Sequence, residues 1–207
     1  MGYPEDCDLI YDKTQQEILS FYNERAELYD GFIEETNYVL YEAVAQEAAA
    51  RFTDVACRAM DLGCGSGRVG ISFKLLKPKV TIDGLDFSQN MCAVSLERAV
   101  YNNIHNIDFK GDISVINESY DLILSAGVFT PNHLDENDFA KCLSLLHAGG
   151  IGVVAIKKDW FESQNFQEKI DELISSDAIK NVFYNEALIW DNPDFTDTAI
   201  VVNFQKA

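Results

Sequence analysis

Hydrophobic positions along the chain follow a helical period in its first quarter. Residues 14–30 and 37–52 have the composition and spacing of helices, and in the second stretch apolar side chains recur along one side from Leu40 to Phe52. Two helical segments are therefore expected before the first strand.

Short apolar runs then predict the strands of a parallel sheet. These runs lie at about 58–62, 80–86, 120–127 and 151–157, and the segment 105–111 alternates between apolar and polar residues as a short strand does. The runs at 120–127 and 151–157 are apolar throughout, as in central strands that are covered on both faces. A mostly parallel sheet with crossover helices follows from this alternation.

Helix signals separate the strands. A helix begins near Arg68 and ends before the next proline, because a residue that precedes proline disfavours helical backbone. Ser88 is placed to cap a helix that continues through Tyr101. Asp135 is placed to cap a further helix, which Gly149 ends in a left-handed conformation.

The last third of the chain changes the pattern. An amphipathic helix around 166–174 precedes two strand-like segments at 181–190 and 198–205, which flank the turn sequence DNPDFTD. This arrangement predicts an antiparallel hairpin. The expected fold is therefore α/β: a doubly wound, mostly parallel sheet with helices on both faces and a C-terminal antiparallel hairpin.

Length and composition favour one domain over residues 1–207, because 207 residues with 47% hydrophobic side chains are enough to bury a core. Within it, we expect 37–207 to form the sheet core. Residues 1–36 precede the sheet and are rich in acid, so we expect them to form a helical lid over the ligand.

Charge and cysteine content narrow the partners and the compartment. A net charge of −18 repels a phosphate backbone and an anionic membrane surface. Five scattered cysteines without a C-x-x-C pair favour neither a disulfide framework nor a zinc site. We expect a cytoplasmic monomer with no bound metal, no nucleic-acid partner and no membrane association.

A glycine-rich turn carries the first chemical signal. Asp61 ends the first predicted strand and is followed by alternating glycines at Gly63, Gly65 and Gly67. Such glycines let the backbone turn sharply and approach a ligand closely. The Asp61 carboxylate suits an ammonium group, whereas it would repel the pyrophosphate of a dinucleotide.

The same turn also fits a dinucleotide site. Gly65, Gly67 and Gly70 satisfy G-x-G-x-x-G, and Asp86 follows Gly67 by 19 residues (86 − 67). Asp86 ends the second predicted strand, where its carboxylate would accept hydrogen bonds from the cis-diol of a ribose. Adenosylmethionine and NAD both carry that diol, so these residues leave both ligands open.

Three further features favour adenosylmethionine. Gly111-Asp112-Ile113 is predicted to close the third strand, with the Asp112 carboxylate accepting from an adenine amino group and a neighbouring backbone N–H reaching the ring. Met91 would pack on an adenine face. The long helical segment before the first strand is also unusual for a dinucleotide fold.

The motifs DLGCGSG, GLDFSQNM, KGDI and DLILSAG occur in that order over residues 60–127 and resemble the class I methyltransferase family. Upstream, YNERAELYD is similar to the family's Y-D-x-x-A-x-x-Y-D entrance motif, with Asn23 in place of the first aspartate. The resemblance implies S-adenosylmethionine as the cofactor. It implies these further site residues: Tyr22, Tyr29, Gly63, Cys64, Phe87, Ile113 and Ser125.

The methyl acceptor is less well defined. Ser125-Ala126-Gly127 stands where an N-P-P-Y signature would follow the fourth strand, which argues against methylation of adenine or glutamine. A small molecule or a protein side chain remains. His133 is a conceivable general base, but a local structural role fits it better, so no catalytic residue is assigned. The alternatives are a non-catalytic adenosylmethionine-binding regulator and an NAD(P)-dependent oxidoreductase.

Overall fold

The computed structural model describes residues 13–52 and 56–207, so residues 1–12 of the predicted lid, with Cys7, lie outside it. The described chain begins with α1 (Gln15–Arg25), a 3-10 turn (Ala26–Leu28), α2 (Tyr29–Thr36) and α3 (Leu40–Arg51). Thr14 and Glu17 form a capping box that starts α1. The predicted helix 14–30 is thus interrupted at its 3-10 turn, and α3 begins three residues later than predicted.

Seven strands form one sheet in the described residues. They are β1 (Arg58–Leu62), β2 (Thr81–Asp86), β3 (Tyr101–Asn106), β4 (Tyr120–Phe129), β5 (Leu146–Lys157), β6 (Ile179–Leu188) and β7 (Thr198–Lys206). Their order is β3-β2-β1-β4-β5-β7-β6, and β7 runs antiparallel to both of its neighbours. The predicted fold class and the C-terminal hairpin are confirmed.

Helices cover both faces of this sheet. After α3 they are α4 (Arg68–Leu76), α5 (Gln89–Glu97), α6 (Glu136–Lys141), a 3-10 turn (Cys142–Leu145), α7 (Lys158–Ser163) and α8 (Phe166–Ser175). One core lies under α3 and α4, and the other contains side chains of α6 and α8. Ser88 and Asp135 cap α5 and α6 as predicted. No helix in the described ranges is long and apolar enough to cross a membrane.

The third strand was predicted too late in the chain. The helix capped by Ser88 stops at Glu97 instead of reaching Tyr101, and Ala99 then takes a left-handed conformation with φ of 54°. The strand starts at Tyr101 and ends at Asn106. The sequence of β3, YNNIHN, is mostly polar, as suits a strand at the edge of a sheet. The limits of this strand are therefore not marked by a run of apolar residues.

Two other elements differ from their predictions. The strand predicted at 151–157 begins earlier, at Leu146. Gly149 does have a positive φ of 86°, but it lies inside β5 and does not end a helix. The helix α7 directly after β5 was not predicted.

Asp83 joins three strands at the sheet end opposite the ligand-binding loops. Its fully buried carboxylate accepts hydrogen bonds from Arg58 at 2.7 Å and from the hydroxyl of Tyr120 at 3.0 Å. Burial acts to raise the pKa of Asp83, but the hydrogen bonds from Arg58, Asn102 and Tyr120 outweigh it and lower the pKa. The ionised carboxylate therefore stabilises the fold above its ordinary pKa, and this stabilisation is lost as the pH falls further.

We expect Asp83→Ala to lower the free energy of unfolding by about 3 kcal/mol at pH 7, because it leaves Arg58 and Tyr120 without their buried partner. Urea unfolding measures the change. The exposed Asp194 provides the control, since Asp194→Ala should change the free energy of unfolding by less than about 0.5 kcal/mol. Equal effects of the two substitutions would contradict this assignment.

Candidate functional site

A pocket of about 780 Å³ opens where the carboxyl ends of β1, β2 and β4 meet. The loops after β1, β2, β3 and β4 line it, and α1 contributes Gln15, Ile18 and Tyr22. The pocket therefore lies at the switch in strand order, where doubly wound sheets bind their ligands.

The glycine turn after β1 forms one wall. Gly63, Gly65 and Gly67 have φ of 73°, 50° and 93°, a left-handed region in which other residues are strained. A Cβ on Gly63 would lie 2.0 Å from a methyl carbon of Val128. A Cβ on Gly65 would meet nothing closer than 4.0 Å, so that face of the turn is open for a ligand.

Asp86 connects this turn to the loop after β2. Its Oδ2 accepts from the Gly65 backbone N–H at 2.9 Å, and its Oδ1 accepts from that of Ser88 at 2.8 Å. The Phe87 backbone N–H donates a further hydrogen bond, which leaves at least one of the roughly four acceptor positions of the carboxylate open. Burial raises the pKa of Asp86 to about 6, so the carboxylate is still mainly ionised at pH 7. This buried acceptor pair on the pocket wall fits a cis-diol.

Asp61 lies behind the glycine turn and does not line the pocket. The Tyr101 hydroxyl donates to its Oδ2 at 2.7 Å, and Gly70 leaves room for the Tyr101 ring because a Cβ there would be 2.4 Å from that hydroxyl. Oδ1 has no hydrogen-bond partner within residues 13–52 and 56–207. Burial raises the pKa of Asp61 to about 7. The structure places the buried Asp61 carboxylate one layer behind the pocket wall. Direct binding of a ligand ammonium group by Asp61 stays a prediction.

Two other predicted site residues also lie behind the wall. Cys64 is buried with its Sγ 3.7 Å from the Ser95 hydroxyl. Ser125 is buried and donates to the Leu62 carbonyl at 3.0 Å, which joins β4 to β1. Both residues support the loops, and neither lines the pocket.

The location predicted for Asp112 and Ile113 is wrong. Because β3 ends at Asn106, the GDI triplet lies in the following loop and does not close the strand. Asp112 is exposed, and it accepts from the Ser114 backbone N–H at 2.8 Å. Asp108 lines the pocket instead, between Ile107 and Phe109. A third strand ended at Asn106 would have pointed to Asp108 as the acid at the pocket.

The N-terminal helices cover this side of the pocket through polar contacts with several loops. Gln15 donates to Asp108 at 2.6 Å, and the Asn23 side chain accepts from the Ser88 hydroxyl at 2.8 Å. Asp30 accepts from Ser66 at 2.7 Å, from Arg68 at 3.0 Å and from Arg98. We call residues 14–36 the N-terminal strap. It contacts the loops after β1, β2 and β3.

Aromatic side chains of the strap lie within the pocket wall. Tyr22 contacts Tyr29 and Phe87 with ring centroids 6.2 and 6.1 Å apart, and its hydroxyl lies 3.1 Å from His133. The pocket thus brings together seven of the predicted residues: Tyr22, Tyr29, Gly63, Gly65, Asp86, Phe87 and Met91. Their roles toward a ligand stay predictions.

A family model described as a methyltransferase domain matches residues 53–155. The chain thus carries a methyltransferase domain, and its fold is that of the class I S-adenosylmethionine-dependent methyltransferases. The TehB-like methyltransferase of Corynebacterium glutamicum has the same fold, with a TM-score of 0.63 at 20% identity over 91% of this chain and 99% of that one. An amino pentose methyltransferase of Micromonospora echinaspora gives a TM-score of 0.61 at 13% identity, over 81% of this chain and 92% of that one.

Curated relatives match this chain over shorter stretches. The ribosomal RNA small subunit methyltransferase C of Aliivibrio fischeri is 33% identical over 103 residues, 46% of this chain and 30% of the relative. The malonyl-[acyl-carrier protein] O-methyltransferase of Bacillus cereus is 36% identical over 83 residues, 38% of this chain and 30% of the relative. The chain thus spans about a third of these relatives' length.

The open face of Gly65 gives a direct test of the pocket wall. We expect Gly65→Val to abolish adenosylhomocysteine binding, because a branched side chain would occupy the open face and resist a φ of 50°. Calorimetry measures binding, and circular dichroism checks that the variant is folded. Gly31→Ala is the control, since a Cβ there meets nothing within 4 Å and Gly31 lies outside the pocket. Wild-type affinity in a folded Gly65→Val protein would exclude this wall from the site.

Proposed function

We propose that the chain is an S-adenosylmethionine-dependent methyltransferase that acts on a small molecule or a protein side chain. The observation that supports this most strongly is Asp86, a buried carboxylate on the pocket wall with an acceptor position still available. The cofactor, when bound, supplies a methyl group activated by a positively charged sulfur. The remaining task of the protein is to hold and orient the reactants.

The residues around Asp86 fit the nucleoside part of this cofactor. Met91 and Ile18 are apolar wall residues, which suit the face of a base. Asp108 is an acceptor that suits an adenine amino group. The glycine turn leaves room for a group close to the backbone on the other side of Asp86. A buried acid beside the turn also disfavours the pyrophosphate of NAD, which supports adenosylmethionine over a dinucleotide.

Charge supports a small or protein acceptor over RNA. The net charge of −18 opposes association with a polyanion such as RNA. One curated relative is by name a ribosomal RNA methyltransferase and another a malonyl-[acyl-carrier protein] O-methyltransferase, so the family as a whole does not decide the acceptor.

Location and assembly belong to the same proposal. Cys57, Cys64, Cys92 and Cys142 are buried free thiols, which suits a reducing compartment such as the cytoplasm. We propose that the protein is a monomer.

A ligand panel separates this proposal from its alternatives. A ligand that binds the folded state raises the melting temperature, so adenosylhomocysteine and not NAD should stabilise the protein. Transfer of labelled methyl groups to metabolite or protein pools then distinguishes an enzyme from a non-catalytic regulator.

Two aspartates on the pocket wall and one outside it test the cofactor site. We expect Asp86→Ala and Asp108→Ala each to weaken adenosylhomocysteine binding about tenfold or more, because each removes a charged hydrogen-bond acceptor. Asp112→Ala is the matched control and should leave the affinity unchanged, since Asp112 is exposed outside the pocket. Calorimetry measures all three. A loss of affinity in Asp112→Ala alone would contradict the assignment of Asp86 and Asp108 to the cofactor site.

The strap is proposed to act as a lid. In α1 only Ile18 and Phe21 are buried, and further buried apolar residues of the strap, such as Phe32 and Ile33, lie in α2. Little apolar area therefore holds α1 itself in place. The strap's polar contacts with Asp108, Ser88 and Ser66 reach residues on or beside the cofactor loops. A segment held this way should gain order when the loops are fixed by a ligand.

Hydrogen exchange tests the lid. We expect amides of residues 14–32 to exchange about tenfold more slowly when adenosylhomocysteine saturates the protein, because ligand contacts add to the small apolar area that α1 buries. The central strand β4 is the internal control and should not change. Unchanged exchange in residues 14–32 of a saturated protein would mean that the strap is a permanent part of the domain.

A further inference from the structure

The imidazole of His133 has hydrogen-bond partners that fix its tautomer. Nδ1 lies 3.0 Å from the Pro131 carbonyl oxygen and 3.2 Å from the Thr130 hydroxyl. A carbonyl oxygen only accepts, so Nδ1 carries the hydrogen in the neutral ring. Nε2 then has a lone pair, and the Tyr22 hydroxyl, 3.1 Å away, donates to it.

This lone pair belongs to a residue of the pocket wall. His133 and Tyr22 both line the pocket, and they belong to different elements, the loop after β4 and helix α1. Their rings meet edge to face with centroids 5.7 Å apart. An unprotonated nitrogen thus lies on the wall in a fixed orientation, which a local structural role alone does not require.

The surroundings keep the ring neutral. Burial lowers the pKa of His133, and the nearby Lys110 ammonium lowers it further, while the hydrogen bond to Pro131 acts in the opposite direction. Lys110 is on the loop after β3 and also lines the pocket. The Tyr22 hydroxyl is the group that faces Nε2 from the strap. At neutral pH the ring is therefore a neutral base whose Nε2 lone pair accepts the hydrogen bond from Tyr22.

We propose that His133 accepts the proton of the methyl acceptor and that Tyr22 positions it, which makes the substrate a nucleophile that arrives protonated: a hydroxyl, a thiol or an ammonium group. This inference rests on the proposed methyltransferase function and names its substrate class. Acceptors that need no proton removal, such as a thioether, lie outside that class.

The step balances without a further reactant. As the acceptor atom loses its proton, a lone pair on that atom would form the bond to the methyl carbon, the carbon–sulfur bond would break, and its electron pair would stay on sulfur. The acceptor's proton passes to His133 Nε2, in place of the hydrogen bond from Tyr22. The positive charge of the pocket moves from sulfur to the imidazole, so the net charge of this partly buried region does not change.

This charge transfer gives a test that needs no acceptor. A ring beside the reacting atoms is harder to protonate next to the charged sulfur of adenosylmethionine than next to the neutral sulfur of adenosylhomocysteine. Ring nitrogen NMR of the full chain, with His133→Gln to assign the signal, reports both the tautomer and its protonation. Each complex is titrated from pH 4.5 to 8, after calorimetry has shown that both ligands bind.

We expect the Nδ1–H tautomer in both complexes and a titration midpoint lower with adenosylmethionine by on the order of one pH unit. Tyr22→Phe should keep the Nδ1–H tautomer, because Pro131 holds it, and should raise the midpoint by removing a donor to the neutral ring. An Nε2–H tautomer, equal midpoints in the two complexes, or a ring that takes up no proton in either would overturn the inference. Absence of binding by both ligands would instead reject the proposed function.

Discussion

A single buried carboxylate, that of Asp86, holds the ligand-binding edge of this sheet together. It accepts one backbone hydrogen bond from the glycine turn after β1 and one from its own loop after β2. The turn can come close enough only because Gly65 takes a positive φ. A buried acid is costly, and its raised pKa reflects that cost. The two loops repay part of the cost with donated hydrogen bonds, and the remaining acceptor positions are available to a ligand.

The positions that the sequence predicted well are those at which one residue type decides the local structure. Positive φ at Gly63, Gly65 and Gly67 and the caps at Ser88 and Asp135 depend on nearest neighbours along the chain. Apolar strands in the middle of the sheet were also found, because burial on both faces leaves a continuous hydrophobic run. The order of elements and the family resemblance followed from these signals.

The sequence was less informative where tertiary contacts decide. At the sheet edge β3 is polar and partly exposed, so its limits could not be read from hydrophobicity, and the adenine-side aspartate was placed at Asp112 when Asp108 lines the pocket. Likewise, Asp61 follows the expected motif but lies one layer behind the pocket wall. There the hydroxyl of Tyr101 from β3 reaches it through the space that Gly70 leaves. The pairing of Tyr22 with His133 joins residues 111 positions apart, and no local pattern announces it.

The strap contributes to the pocket without belonging to the sheet. Its residues Ile18 and Tyr22 form wall surface, whereas Asp86 and the glycine turn belong to the sheet and its loops. The pocket wall is therefore encoded in two separate stretches of the gene, one for the strap and one for the sheet and its loops. The N-terminal stretch could be varied or exchanged while the sheet stays constant, which offers a way to reshape the pocket wall without changing the fold.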